Sequence, residues 1–206
     1  MSAERIPLFP LEVVLFPGTP LPLHIFEPRY KLMIRRCVES QREFGVILAR
    51  SEGIASVGCT AEIVKVVKRY EDGRMDILTM GRTPYRVLEV FDQQPYLEAA
   101  VEFLEDEPGR ATPETQQKLL KLFEECDALI SGRVPSTPDA HAEFSIAFQI
   151  AAELPLDLAY KQELLEIRSE PERESRLAER LEKWLPQLTH LKRVRGKAGG
   201  NGHGLG

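Results

Sequence analysis

The sequence predicts an α+β fold: a small β-barrel with one inserted helix, followed by a C-terminal helical bundle. Three observations carry that expectation. Between residues 59 and 102, apolar and polar side chains alternate with a period close to two, as in half-buried strands. Residues 105–109, Glu-Asp-Glu-Pro-Gly, break that pattern with charge, proline and glycine. Beyond the break, apolar residues recur at helical spacing.

Each element has its own signal. Residues 6–9 and 12–16 are short β-rich runs punctuated by Pro7, Pro10 and Pro17; prolines at this density suit edge or closing strands, because proline has no N–H for a central ladder. After Pro28, the spacing of Tyr30, Met33/Ile34 and Cys37/Val38 marks an amphipathic helix. Residues 44–49 read as a compact apolar strand. The runs 61–68 and 75–80 flank Glu71-Asp72-Gly73-Arg74, turn chemistry for a hairpin, and strands at 85–90 and 96–104 follow. Short strands at this spacing suggest a barrel rather than a parallel sheet. Further on, Leu119, Leu122/Phe123, Cys126 and Leu129/Ile130 form one helical stripe, and Phe144, Ala147/Phe148 and Ala151 a second, ended by Pro155. Residues 158–167 form a third helix, and Ser169 with Glu172 has capping-box spacing for a fourth carrying Leu177, Leu181, Trp184/Leu185 and Leu188. The expected division is a barrel at 1–107, a helical bundle at 108–191 and a disordered basic, Gly-rich tail at 192–206.

Composition limits the function. The 206 residues are 43% hydrophobic and 29% charged, with 27 basic and 32 acidic residues for a net charge of −5. That supports a sizeable core and gives no global attraction to phosphate backbones or anionic membranes. Proline and Glu12 interrupt the apolar N-terminus, so it predicts neither a signal peptide nor a membrane helix. Three scattered cysteines, Cys37, Cys59 and Cys126, make no disulfide framework and no CxxC pair. A cytoplasmic protein is expected.

The motifs of common enzymes are missing. Around Gly196-Lys197, Leu191 stands where a P-loop needs glycine and Ala198 where it needs Ser or Thr. Gly53 and Gly58 miss the frame of GxSxG around Ser56. His24, His141, His190 and His203 are too scattered to suggest a metal site, so no metal and no cofactor is expected. Each cysteine reads as a buried, inert thiol. For nucleic acid, the candidates are Lys65, Lys68, Arg69 and the cluster Lys192, Arg193, Arg195 and Lys197; they do not interleave with aromatic residues, so a solvated face is preferred.

The run Ile6-Pro7-Leu8-Phe9-Pro10-Leu11-Glu12-Val13-Val14-Leu15-Phe16-Pro17-Gly18, followed by Pro22-Leu23-His24-Ile25-Phe26-Glu27-Pro28-Arg29-Tyr30, resembles the opening of the Lon protease N-terminal substrate-binding domain. Further similarity lies at Val57-Gly58-Cys59-Thr60-Ala61-Glu62-Ile63, at residues 81–87, at Ala151-Ala152-Glu153-Leu154-Pro155-Leu156, at Lys161-Gln162-Glu163-Leu164-Leu165-Glu166 and at Arg176-Leu177. The pattern departs at Pro84, where the family often has arginine. The resemblance covers about residues 5–188. It implies a PUA-like β-barrel followed by helices, and a bacterial-type module that recognises unfolded or tagged polypeptide in protein quality control or proteolysis, with a protease as candidate partner. The chain ends before the ATPase and Ser/Lys protease parts of Lon, so neither activity is implied. Glu27 and Arg29 are expected to pair and cap the first helix, and Gly58 and Pro17-Gly18 to be turn positions, with Gly81 a further structural motif residue. Phe16, His24, Phe26 and Tyr30 are the residues most able to line an apolar groove for a peptide. The alternatives are an RNA-binding protein, because PUA-like barrels also serve RNA modules, and an unrecognised hydrolase.

Overall fold

Proline placement shapes the first two strands. Pro7 and Pro10 lie in β1 (Glu4–Leu11), and Pro20 and Pro22 in β2 (Pro20–Ile25). Four further strands follow: β3 (Phe44–Arg50), β4 (Gly53–Arg69), β5 (Met75–Phe91) and β6 (Glu98–Phe103). The helices are α1 (Pro28–Ser40), α2 (Pro113–Ile130), α3 (Ile146–Glu153), α4 (Leu158–Glu166) and α5 (Glu170–Gly200). The computed structural model describes residues 4–131, 138 and 144–200, with side chains through residue 194.

The six strands form one sheet in the order β2-β5-β4-β3-β1-β6, and β5 also pairs with β6. The pairings therefore run β5-β4-β3-β1-β6 and return to β5, with β2 attached outside this ring along β5. All pairs are antiparallel except β1 with β3. The N-terminal reading needs correction: residues 12–16, expected as a strand, lie in the connection between β1 and β2. Val14, Leu15 and Phe16 are buried there as loop residues, which explains an apolar run without strand geometry. The strands expected at 75–80 and 85–90 are one continuous β5.

Tyr85 on β5 is completely buried, and its hydroxyl donates across β4 to the Val46 carbonyl on β3 at 3.2 Å. The ring occupies the space over two glycines. A Cβ added at Gly58 would lie 2.5 Å from both the Tyr85 hydroxyl and the Val46 carbonyl oxygen, and one at Gly45 would also collide with that hydroxyl. Gly58, expected at a turn, is therefore a strand residue kept bare for close packing. Gly81 serves a similar end, because a Cβ there would overlap the Phe16 carbonyl; its N–H donates to Thr19 O at 3.0 Å, and its carbonyl accepts from Gly18 at 2.9 Å. Gly18 does occupy a turn, at φ +73°.

Among the described residues, the chain divides into two compact units, 4–107 with 144–168, and 108–131 with 138 and 169–200. This differs from the expected boundary, which put all later helices in one bundle. Instead α3 and α4 belong with the sheet. Ser145 and Asp157 cap them by accepting from the backbone N–H groups of Phe148 and Tyr160. Phe148 stacks on Phe16 with ring centroids 5.0 Å apart. From α4, the Gln162 amide donates to Val57 O on β4 at 2.9 Å.

The second unit packs α2 against α5. Leu119, Phe123 and Cys126 bury one stripe of α2, and Leu177, Ala178 and Leu181 one stripe of α5. Lys118 pairs with Glu182 at 3.0 Å and Lys192 donates to Ala128 O at 3.4 Å, so the two helices run in the same direction. The expected disordered tail is corrected as far as residue 200, where α5 ends. Residues 201–206, the end of the expected tail, lie outside the described residues.

One acid in this unit is buried. Glu174 is 2% exposed, and its Oε2 has no hydrogen-bond partner among the described residues. Desolvation, helped by the nearby charge of Glu170, pushes its carboxyl up to about 7. Glu170 is itself held by the buried Arg173, whose Nε and Nη2 reach its Oε2 at 2.8 and 2.7 Å.

Two stability predictions follow from these contacts. Glu174 carries a raised folded-state pKa, so its contribution is full below the ordinary value of 4.5 and is lost as pH rises to about 7. Denaturant titrations should show Glu174→Gln close to wild type near the lower limit and more stable above the upper one, by on the order of 1–2 kcal/mol; an equal gap at both ends would contradict a neutral buried acid. For the interior tyrosine, Tyr85→Phe should cost about 0.5–1.5 kcal/mol by removing a buried hydrogen bond, and Gly58→Ala should cost more. The double variant should lose less than the sum of the two single losses, because removing the hydroxyl relieves part of the overlap; strict additivity would mean that the residues do not touch.

Candidate functional site

The alternation of β2 separates core from surface. Ile25 is 1% exposed, while Pro20, Pro22 and His24 face solvent. Phe26 lies two residues beyond His24 in the same extended run, and is 59% exposed. Their rings stack at 6.0 Å with an interplanar angle of 22°. Tyr70, at the turn between β4 and β5, meets the His24 ring edge-on at 5.9 Å. Three aromatic rings thus gather where the edge strand meets the hairpin turn.

A carboxylate fixes the arrangement. His24 and Asp76 are cross-strand neighbours, with Nδ1 and Oδ1 2.5 Å apart. Tyr70 donates its hydroxyl to the other oxygen of Asp76 at 2.8 Å. These hydrogen bonds, that from His24 foremost, hold the Asp76 carboxyl below the usual carboxylate range. Cations cover the Tyr70 ring, with Lys68 Nζ 4.5 Å and the Arg74 guanidinium 5.0 Å from its centroid. The turn is tied down at Gly73, whose φ of +81° suits glycine. Asp72 pairs with Arg74 at 2.6 Å, and Lys31 on α1 donates to Asp72 O at 2.9 Å.

Apolar surface continues along the outer half of β4. Its register with β5 shifts between Ile63 and Lys65 and again between Val66 and Lys68. The residues inserted by these bulges are Val64 and Val67, which are 51% and 59% exposed. A strict period of two hides this, because each bulge moves one residue out of the alternation.

The structure sorts the expected contact residues into two groups. His24 and Phe26 come together on the surface. Phe16 and Tyr30 do not: they are 1% and 6% exposed. Tyr30 packs its ring on Phe9 at 4.1 Å, and burial raises its hydroxyl pKa. Both are corrected to core residues, buried because one lies in the apolar β1–β2 connection and the other on the inner face of α1. Glu27 and Arg29 form the expected ion pair, at 2.8 Å from Nη2 and 2.9 Å from Nε. Glu27 is the N-cap residue of α1, yet its side chain makes no capping bond; it acts there as a charge near the helix N-terminus. Tyr70, Asp76 and Arg74 were missed as site residues, although the hairpin turn beside them was readable.

The cysteine thiols are poorly placed to act as nucleophiles. Burial pushes the Cys37 and Cys126 thiols up to about 11, and raises Cys59 further. Among the described residues, no group of three His, Cys, Asp or Glu side chains could hold a metal ion. No helix among them is long and apolar enough to cross a membrane.

Comparison with known proteins agrees with this architecture. Residues 5–183 match the family model of the ATP-dependent protease La (Lon) substrate-binding domain. A Lon protease of Parabacteroides distasonis is 27% identical over 192 residues, covering 84% of this chain and 23% of that protein. Protein cereblon of Xenopus tropicalis is 35% identical over 105 residues, covering 48% of this chain and 23% of that one. The chain thus spans about a quarter of the length of the curated relatives it matches. Among solved structures, a Lon N-terminal domain protein from Xanthomonas campestris superposes with a TM-score of 0.67 at 26% identity, covering 89% of this chain and 99% of that one. The N-terminal domain of the Mycobacterium avium complex Lon protease, at 18% identity and a TM-score of 0.62, shares the fold, covering 87% and 98%. With the family match over most of its length and these fold neighbours, the chain belongs to the Lon substrate-binding domain family.

Proposed function

We propose that this chain is a non-catalytic polypeptide-recognition module that contacts unfolded or tagged chains through the surface of His24, Phe26 and Tyr70. The observation that carries the reading is the three-ring cluster, exposed at Phe26 and held from beneath by Asp76. Rings fixed before binding lose little conformational entropy when a ligand side chain lands on them. Val64 and Val67 extend the apolar contact along the β4–β5 ribbon.

The edge strand favours side-chain contact over strand addition. Among the described residues β2 pairs with β5 alone, and neither Pro20 nor Pro22 has an N–H to offer an incoming strand. The family supports a polypeptide as ligand, since its model describes the substrate-binding domain of an ATP-dependent protease. In this reading the module works in cytoplasmic protein quality control or proteolysis, alone or with a protease partner, and the closed ring of strand pairings is a PUA-like barrel. The RNA-binding alternative draws no support from the relatives or the fold neighbours.

Fluorescence titration with a reduced, alkylated and permanently unfolded protein tests this surface. Phe26→Ala and Tyr70→Ala should each weaken binding by about 1–2 kcal/mol, roughly five- to thirtyfold. Raising the salt should change the affinity by less than about twofold, because screening acts on exposed charge and not on buried hydrocarbon. Unchanged affinity in both folded variants, or binding that collapses with salt, would refute the aromatic surface.

A further inference from the structure

On the sheet-bearing unit, away from the aromatic cluster, there is a cleft of about 430 Å³ between the β1–β2 connection, the start of β2, and helices α3 and α4. Val13, Leu15, Leu21 and Ala152 supply apolar wall, and Thr19, Gln149, Glu153 and Lys161 the polar groups. Two of these polar groups bond the protein's own backbone. The Thr19 hydroxyl donates to Phe16 O at 2.7 Å, and the Gln149 amide to Phe144 O at 3.2 Å.

Lys161 differs from these. Its backbone N–H donates to Asp157 O within α4, but its ammonium makes no hydrogen bond or ion pair with any described residue. Glu153 lines the same cleft. Burial without a compensating anion lowers the lysine pKa, with desolvation the only cause. A half-buried ammonium beside apolar wall is short of one thing, a carboxylate carried on an apolar group.

We propose that this cleft binds the C-terminal carboxylate of a polypeptide whose last residues are apolar, with Lys161 as its cation. The inference rests on the reading of the chain as a polypeptide-recognition module and assigns that module a second, distinct contact. The volume lies within the range of small-ligand sites, ample for one or two aliphatic side chains. A chain terminus fits better than an internal acidic residue. An internal segment brings peptide groups on both sides that need hydrogen-bond partners, whereas Thr19 and Gln149 are spent on the protein's own backbone. A terminus brings one carboxylate and its apolar side chains.

Fluorescence anisotropy with a labelled Gly-Ser-Gly-Ala-Leu-Leu peptide, as free acid and as C-terminal amide, tests the assignment on the full chain. The free acid should bind wild type roughly ten- to a hundredfold more tightly than the amide. Lys161→Met should abolish that contrast, Lys161→Arg should keep most of it, and Phe26→Ala should leave it unchanged. An amidated Gly-Ser-Glu-Ala-Leu-Leu peptide should bind no better than the plain amide. The absence of an acid–amide contrast in wild type, its survival in Lys161→Met, or tight binding of the internal glutamate peptide would each overturn the proposal. Loss of unfolded-protein binding in the preceding titration, with the acid–amide contrast intact, would instead remove the aromatic surface and leave this site standing.

Discussion

A phenol ring lodged between strands sets the geometry of the sheet. Tyr85 extends from β5 over Gly58 of β4, and its hydroxyl satisfies the Val46 carbonyl of β3. Three neighbouring strands are thereby fixed to one another by a single side chain, and the fit leaves no room for a Cβ at Gly45 or Gly58. A buried hydroxyl without its acceptor would be costly, so sliding β5 relative to β3 breaks a contact that cannot be remade elsewhere. Gly81 applies a comparable constraint farther along β5, where the Phe16 carbonyl lies against its bare Cα.

With the inner half of the β4–β5 pair held, the outer half is free to depart from regular pairing. Two bulges there turn Val64 and Val67 to solvent, and the turn at Gly73 carries Tyr70 and Arg74 beside the edge strand. The aromatic cluster is assembled from separate stretches of chain: His24 from the end of β2 and Phe26 just beyond it, Tyr70 from the turn and Asp76 from β5. The Asp76 carboxylate joins two of these stretches. The bond from Lys31 to Asp72 attaches the turn to α1 as well. A contact surface held from several directions presents its rings ready for a ligand, rather than ordering them on arrival.

Local chemistry was legible wherever it depended on neighbours in sequence. Glu71-Asp72-Gly73-Arg74 read as a hairpin turn because glycine supplies the positive φ found there. The spacing of Tyr30, Met33/Ile34 and Cys37/Val38 read as one helical face, and all of these but the half-buried Val38 are the buried residues of α1. The acidic break after residue 104 separated strands from helices, and the proline-rich opening carried the family resemblance. Within the site, His24 and Phe26 were readable as aromatic residues in a stiff segment.

What the sequence by itself determined, then, is the order and type of most elements, the hairpin, and the family to which the chain belongs. Only the tertiary structure decided which aromatic residues remain outside. Phe16 and Phe26 are the same residue type in similar apolar, proline-flanked runs, yet one stacks on Phe148 and the other faces solvent. The difference comes from α3, more than a hundred residues later in the chain, which packs over the first and leaves the second uncovered. Composition and periodicity report what a residue could bury, whereas burial is settled by the partner that arrives, and here long-range packing brought that partner to Phe16 alone.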